Sequence, residues 1–179
     1  MSIQVFILSN LMKENSYPYK LKKQLSEPIP LDQLGGLTES KLYYHFETLA
    51  KKGLIEIVEI IKEEHRPDKQ VFAITAKGRE ELPKLIYKLF ENTDIVKDMI
   101  VGLISLQYVD KKKVVDILEN NVNEIKERWN QLSGMEGKVQ VTEEDKELRN
   151  FVRGYITART DHNVQWLEEL INKIKQGKL

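Results

Sequence analysis

The chain has 179 residues, a length that suits one large domain or two small ones, each with its own core. Its 28 Lys and Arg residues balance 28 Asp and Glu residues, which excludes a uniformly basic protein but not a local basic patch. There is no cysteine, so disulfides, thiolate nucleophiles and cysteine-ligated zinc are excluded. The apolar N-terminal run is too short to span a membrane and lacks signal-peptide features. We therefore expect a cytoplasmic protein with no membrane partner.

The first predicted elements are two short helices. Apolar residues at helical spacing predict the first: Ile3, Phe6, Ile7 and Leu11. Pro18 suits the first turn of the second helix, and Ser16 is a candidate N-cap. Two prolines and two glycines within residues 26–36 then predict a break.

A third helix is predicted in the stretch LTESKLYYHFETLAKKGLIE. Thr38 is its candidate N-cap, and Gly53 suits the left-handed position after its end. Leu42, Phe46 and Leu49 follow the spacing of a buried face. The other residues of its first turns would then face outward.

Two β-strands and a fourth helix follow this third helix. The alternating, β-branched segment LIEIVEIIK predicts the first strand, and QVFAIT predicts its antiparallel return across a charged tip. Thr75 is the candidate N-cap of the next helix. Three helices, a two-stranded ribbon and a helix together predict a winged helix-turn-helix domain over residues 1–91.

Long helices without further strands are predicted over residues 92–179. In the first long helix, apolar residues repeat as in a coiled coil: Val115, Leu118, Val122, Ile125, Trp129 and Leu132. Thr142 with Asp145 resembles a capping box for a last helix. Its apolar stripe is formed by Leu148, Phe151, Tyr155, Ala158, His162, Trp166, Leu170 and Ile174. We predict a helical dimerisation domain, which is also the candidate effector domain. Its seam uses the six coiled-coil residues with Trp166 and Leu170, and hence we predict a homodimer.

The fold class is therefore mainly α with a two-stranded β-wing, and its outward residues suit contact with double-stranded DNA. In a helix-turn-helix, the second helix enters the major groove, where polar side chains reach base edges and phosphates. The predicted DNA contacts are Tyr19, Lys20, Thr38, Ser40, Lys41, Tyr43, Tyr44, His45, Arg66 and Lys69. Residues 1–82 carry twelve basic and twelve acidic residues, so binding must depend on their placement.

Three motifs resemble the PadR family of transcriptional regulators. The third helix carries the family's aliphatic-Tyr pair as Leu42-Tyr43, and HRPDKQVFAITAKGREEL resembles its wing with Phe72 at a usual Tyr position. SYPYKLKKQL resembles the family's HGYEL region with Tyr19 as its Tyr, although Lys20 replaces the acidic residue. The resemblance covers nearly the whole chain and is strongest over residues 4–82. It implies a regulator, often a repressor, that binds a palindromic operator as a dimer. Some members release DNA on binding small aromatic molecules such as phenolic acids, and no motif here identifies effector residues.

Other interpretations remain open at this stage. Tyr43 suits a seam between domains as well as DNA, and Arg66 and Lys69 suit a solvated hairpin tip. Trp129 and Trp166 suit a core or dimer seam better than a ligand site. The three histidines lack metal-ligand spacing and no phosphate loop is present, so we expect neither an enzyme nor a metal or cofactor. The alternative function is a winged-helix protein-interaction module with a coiled-coil tail that does not bind DNA.

Overall fold

The computed structural model describes residues 2–25, 30–31, 38–62, 68–134 and 143–179. The chain divides into two compact units. Unit 1 comprises Met1–Phe90 with Lys97–Asp110, and unit 2 comprises Glu91–Val96 with Lys111–Leu179. The described residues are mainly helical and include one two-stranded antiparallel sheet, which confirms the predicted fold class.

Unit 1 has the winged helix-turn-helix order. Its elements are α1 (Ser2–Leu11), α2 (Pro18–Gln24), α3 (Glu39–Lys51), β1 (Ile55–Ile61), β2 (Lys69–Ile74), α4 (Ala76–Glu91, which ends in unit 2), α5 (Val96–Ile104, which begins there) and a 3-10 turn at Leu106–Tyr108. The predicted apolar residues of α1 and α3 are buried in its core. Pro18 begins α2 as predicted, but Tyr17 and not Ser16 is the N-cap residue. The backbone of Ser16 is extended because it pairs with Phe72 of β2. Its N–H donates to the carbonyl of Phe72 at 3.0 Å, and its carbonyl accepts the N–H of Phe72 at 2.8 Å.

The sheet departs from the predicted alternation. β1 pairs with β2 from Ile55 opposite Ile74 to Ile61 opposite Lys69, with an irregularity between Ile57 and Glu59. Such a bulge shifts the side chains of a strand relative to the pleat. Ile55 is buried, whereas Ile57, Val58 and Ile60 are all exposed.

The end of α3 is joined to the start of α4. Gly53 has a φ of 69° and donates to the carbonyl of Ala50, while Leu54 donates to Leu49, the pattern of a Schellman motif. Thr75 caps α4 as predicted, because its hydroxyl accepts the N–H of Gly78 at 3.1 Å. The same hydroxyl donates to the carbonyl of Gly53 at 2.8 Å. These bonds hold the C-terminal end of α3 against the start of α4.

The predicted domain boundary at residues 91 and 92 differs from the division into compact units. Residues 97–110 belong to unit 1, because α5 is tightly packed there. A Cβ placed on Gly102 would lie 2.9 Å from the ring of Phe90, so the two helices approach closely at that glycine. In addition, the hydroxyls of Ser9 and Ser105 are 2.8 Å apart.

Unit 2 is built around a helical hairpin of α6 (Lys111–Gly134) and α7 (Glu143–Lys175). Two ion pairs show that the helices run antiparallel: Lys126 with Glu168 at 2.8 Å, and Lys175 with Glu119 at 2.6 Å. The cap predicted at Thr142 lies outside the described residues. Across the part of the chain that the structure describes, no helix is long and apolar enough to cross a membrane.

The predicted dimer seam is mostly an intramolecular one. Five of its residues are buried inside unit 2 of a single chain: Val115, Leu118, Val122, Ile125 and Leu170. These side chains fill the hairpin because α7 returns along α6 and covers them. Trp129 is half-buried and Trp166 is half exposed, while the side chain of Leu132 is outside the described part.

Candidate nucleic-acid interface

The helix α3 is held to the sheet by aromatic packing. Leu42, Phe46 and Leu49 are almost fully buried, and the ring centroids of Phe46 and Phe72 are 5.0 Å apart. Tilted ring pairs at this distance contribute about 0.5–1.5 kcal/mol beyond the area they bury. The buried face of α3 therefore determines which residues of the helix point to solvent.

The outward face of α3 carries most of the predicted DNA contacts. Six positions are exposed or partly exposed there: Thr38, Ser40, Lys41, Tyr43, Tyr44 and His45. Tyr44 is the most open of the tyrosines, with 64% of its surface exposed, against 43% for Tyr43. The Thr38 hydroxyl does not cap the helix but lies 3.3 Å from that of Ser40. These hydroxyls, the ammonium of Lys41 and the phenol of Tyr44 are groups that commonly contact phosphates and base edges.

His45 is less open than the sequence indicated. It is half-buried, its ring centroid is 5.2 Å from that of Tyr44, and its Nδ1 is enclosed without a hydrogen-bond partner among the described residues. Burial lowers the pKa of His45, and nearby positive charges, those of Lys52 and Lys41 among them, lower it further. At neutral pH the imidazole is therefore uncharged, so that it can donate or accept a hydrogen bond but adds no charge.

The helix α2 contributes a second group of cations. Tyr19 is exposed, and the ammonium groups of Lys22 and Lys23 lie 6.0 and 5.6 Å from the centre of its ring. Lys20, a predicted contact, is paired with Glu14 at 2.8 Å. Lys20 is therefore partly neutralised, whereas Lys22 and Lys23, which were not among the predicted contacts, flank the exposed ring.

The wing supplies Lys69, whose ammonium lies 5.5 Å from the centre of the Tyr17 ring. Arg66, the other predicted wing contact, lies outside the described residues. Tyr17 was not predicted as a site residue, because nothing in the local sequence shows that β2 passes close to the start of α2.

An open cleft of about 530 Å³ connects these elements. Three predicted contacts line it, namely Tyr19, Tyr43 and Lys69, together with Tyr17 and Phe46. Two carboxylates, Glu47 and Asp68, also line the cleft and were missed. The structure thus brings α2, α3 and the wing to one aromatic surface, although acidic groups reduce its positive charge. Among the described residues, no group of three or more acidic or histidine side chains could hold a metal ion.

One protein-family model matches part of this unit. Residues 7–84 match the transcriptional regulator PadR-like family, a span from α1 to α4. The part of the chain from α1 to α4 is therefore similar to transcriptional regulators of this family.

Three solved structures are similar over nearly the whole chain. Bacillus subtilis PadR in complex with operator DNA is 18% identical, with 97% of this chain and 99% of that chain covered and a TM-score of 0.44. The same protein in complex with p-coumaric acid is 18% identical, with 98% of this chain and 99% of that chain covered and a TM-score of 0.41. The protein smu.1604c of Streptococcus mutans is 20% identical, covers 95% and 98%, and has a TM-score of 0.40. A search of curated proteins found no match.

Proposed function

We propose that this chain is a cytoplasmic transcriptional repressor that binds a palindromic operator as a homodimer and is released by a small aromatic, phenolic-type effector. The observation that carries the proposal is the outward face of α3. That helix is fixed by the Phe46–Phe72 pair and presents Ser40, Lys41 and Tyr44 to solvent at its N-terminal half. In a helix-turn-helix, this is the part of the recognition helix that reads base edges.

The residues of this face have distinct roles in the proposed complex. Lys41 reaches a phosphate or a guanine edge, and Ser40 donates or accepts one hydrogen bond at the groove. The phenol of Tyr44 contacts the DNA backbone, as do Lys22 and Lys23 from α2 and Lys69 from the wing. The nearby carboxylates of Glu47 and Asp68 weaken contacts in the wrong register, so specificity depends on the position of each cation.

The dimer surface is the N-terminal half of α7. Here the apolar stripe is exposed: Leu148 by 64%, Phe151 by 74%, Val152 by 42%, Tyr155 by 58% and Ile156 by 39%. The same helix buries Leu167, Leu170, Ile171 and Ile174 within the hairpin. An α-helix of 33 residues spans about 50 Å and one of 24 residues about 36 Å, so α6 is too short to cover all of α7.

A second copy of the chain is the occupant that fits this stripe best. A two-fold axis places the stripe of one copy against the same stripe of the other, so that one apolar surface serves both sides of the interface. The contact also brings two winged domains into one molecule, as a palindromic operator requires. Because the winged half is neutral overall, the combined contacts of two domains supply the affinity that a single domain lacks.

Selection of bound sequences from random DNA, followed by binding titrations, tests the DNA contacts. Lys41→Ala should weaken binding to the selected site about tenfold. It should also reduce the slope of log affinity against log salt concentration by about one, the value for one phosphate contact. Tyr44→Ala should weaken it by a smaller factor, and neither change should lower the melting temperature. Lys51→Ala is the matched control, because Lys51 is exposed on the last turn of the same helix. Failure to select any palindrome at low salt would contradict the proposal and favour the protein-interaction alternative.

A further inference from the structure

The wing and the start of α2 meet where a lysine lies against an aromatic ring. The ammonium of Lys69, the first residue of β2, is 5.5 Å from the centre of the Tyr17 ring. Both side chains are half-buried, and both line the open cleft between α2, α3 and the wing. Tyr17 is the residue that precedes α2. The contact therefore joins two elements that are distant along the chain.

The position of the Tyr17 ring is set by two backbone anchors. On one side, the preceding residue Ser16 exchanges two hydrogen bonds with the backbone of Phe72 in β2. On the other side, the carbonyl of Tyr17 accepts the N–H of Lys20 at 3.0 Å as α2 begins. Lys69, by contrast, reaches the cleft through a flexible four-carbon stem. The anchored ring is therefore the partner that orients the lysine.

A ring orients an ammonium without cancelling its charge. The face of an aromatic ring attracts a cation through its quadrupole, although the ring carries no net charge. A carboxylate also attracts an ammonium, but the resulting pair is neutral overall. The structure contains an example of this second case at Lys20, whose ammonium is 2.8 Å from a carboxylate oxygen of Glu14. The contact with Tyr17 therefore places Lys69 without itself reducing the positive charge of the cleft.

Two carboxylates in the same cleft are alternative partners for the lysine. Glu47 is exposed on α3, and Asp68 directly precedes Lys69 in the wing. Without the Tyr17 ring, the stem of Lys69 would turn towards these carboxylates, because opposite charges attract across the cleft. A phosphate would then have to displace a carboxylate before it could bind the lysine. The ring thus favours the conformation in which Lys69 meets an external anion.

We infer that Tyr17 is a positioning residue for DNA binding: its ring holds the ammonium of Lys69 in the orientation that meets a phosphate of the duplex. The inference rests on the proposed function, because it assigns how one of the proposed phosphate contacts is held. Tyr17 acts through Lys69, so its ring is needed and its hydroxyl is not. Since acidic and basic residues balance within residues 1–82, the orientation of a single lysine affects the affinity measurably.

Binding titrations over a range of salt concentrations test this role. The probes are the duplex selected from random DNA and heparin, a polyanion without base sequence. Tyr17→Leu should weaken binding of both about threefold. It should also reduce the slope of log affinity for the duplex against log salt concentration by about one, the value for one phosphate contact. Tyr17→Phe should keep the affinity and slope of the unaltered chain, because it retains the ring.

Further variants connect the effect to the lysine and to the carboxylates. Lys69→Gln should reproduce the reduced slope, and adding Tyr17→Leu to it should cause no further decrease, because both changes remove the same contact. Asp68→Asn should raise the affinity more in the Tyr17→Leu background than in the unaltered chain, since it removes an alternative partner of the lysine. Lys84→Gln is the matched control, because Lys84 is exposed on α4 and does not line the cleft.

Melting temperatures show whether each variant is folded, and Tyr17→Met replaces Tyr17→Leu if the latter unfolds. The inference is overturned if a folded variant without the ring keeps the slope of the unaltered chain. It is also overturned if Tyr17→Phe loses as much affinity as Tyr17→Leu, which would assign the contact to the hydroxyl. If no duplex binds, the proposed function fails. In that case equal heparin affinities of the unaltered chain and Tyr17→Leu would overturn the role of the ring as well, whereas a loss of about threefold would retain it.

Discussion

The helices α3 and α7 both carry apolar residues at regular helical spacing. The apolar face of α3 is buried within its own unit, whereas the first half of α7 leaves its apolar face exposed. In α3, Leu42, Phe46 and Leu49 are at most 1% exposed. In the first half of α7, Phe151 is 74% exposed and Tyr155 is 58% exposed. Helical periodicity thus indicates that a face will be covered, but not whether the same chain covers it. The difference separates a core that makes the domain fold from an exposed surface that we propose joins two copies.

The largest expected effect is a change in the free energy of unfolding, and it should distinguish a buried ring in α3 from an exposed ring in α7. Phe46→Ala should lower the free energy of unfolding by about 3–5 kcal/mol, because it leaves a cavity and removes the contact with Phe72. Phe151→Ala should change the unfolding of the isolated chain by less than about 0.5 kcal/mol, since the ring is in water there. Urea denaturation at the lowest workable protein concentration measures both. A large loss for Phe151→Ala under those conditions would place the ring in an intramolecular core.

The next effect concerns association. Phe151→Glu places a charge in the centre of the proposed dimer contact, where it would be buried without a partner. We expect the dimer dissociation constant to rise at least about 100-fold, with the far-ultraviolet circular dichroism unchanged. Analytical ultracentrifugation over a concentration series measures the constant. Glu124→Gln on the exposed side of α6 is the control, and an unchanged dimer in Phe151→Glu would require another surface for association.

Replacing two glycines by alanine should change stability in opposite directions. A Cβ on Gly78 would be 2.1 Å from the carbonyl oxygen of Leu54, so Gly78→Ala should destabilise unit 1 by about 1–3 kcal/mol. A Cβ on Gly154 would meet nothing within 4 Å, so Gly154→Ala should stabilise α7 by up to about 1 kcal/mol. Thermal unfolding measures both changes. A Gly154→Ala variant that instead dissociates more readily would locate Gly154 beneath the partner copy.

The smallest effect is the pH dependence due to His45. Its pKa is lowered in the folded chain from the ordinary value of 6.5, so the unfolded chain binds the proton more readily. Stability should therefore fall as the pH drops below about 6.5, until the folded-state pKa is passed. The change in melting temperature from pH 7.5 to pH 5.5 should be smaller in His45→Gln than in the unaltered chain. Equal changes in both proteins would show that other groups cause the acid sensitivity.

The sequence predicted local features better than packing partners. Gly53, Thr75 and Pro18 have the predicted roles, because each depends on the conformation of a few neighbouring residues. Val115 and Leu118 were predicted to contact a partner chain, but they are buried within a single chain. A heptad pattern does not distinguish an intramolecular helix from a second chain.

The site follows the same division. The outward positions of α3 follow from its helical period, as predicted for Ser40 and Tyr44. The cleft beside Tyr17 depends on how distant segments meet, which no local pattern encodes. The compact units divide the chain differently from the boundary predicted near residue 91, because the close approach of Gly102 to Phe90 is a tertiary contact.

Phe72 joins three elements through different atoms. Its backbone bonds to Ser16 just before α2, its ring packs on Phe46 of α3, and it lies in the strand that leads from the wing. The scaffold therefore fixes the distance between α3 and the wing. In the proposed complex with DNA, substitutions at Ser40, Lys41 or Tyr44 change which bases are preferred, while the length of DNA covered by each winged domain stays constant.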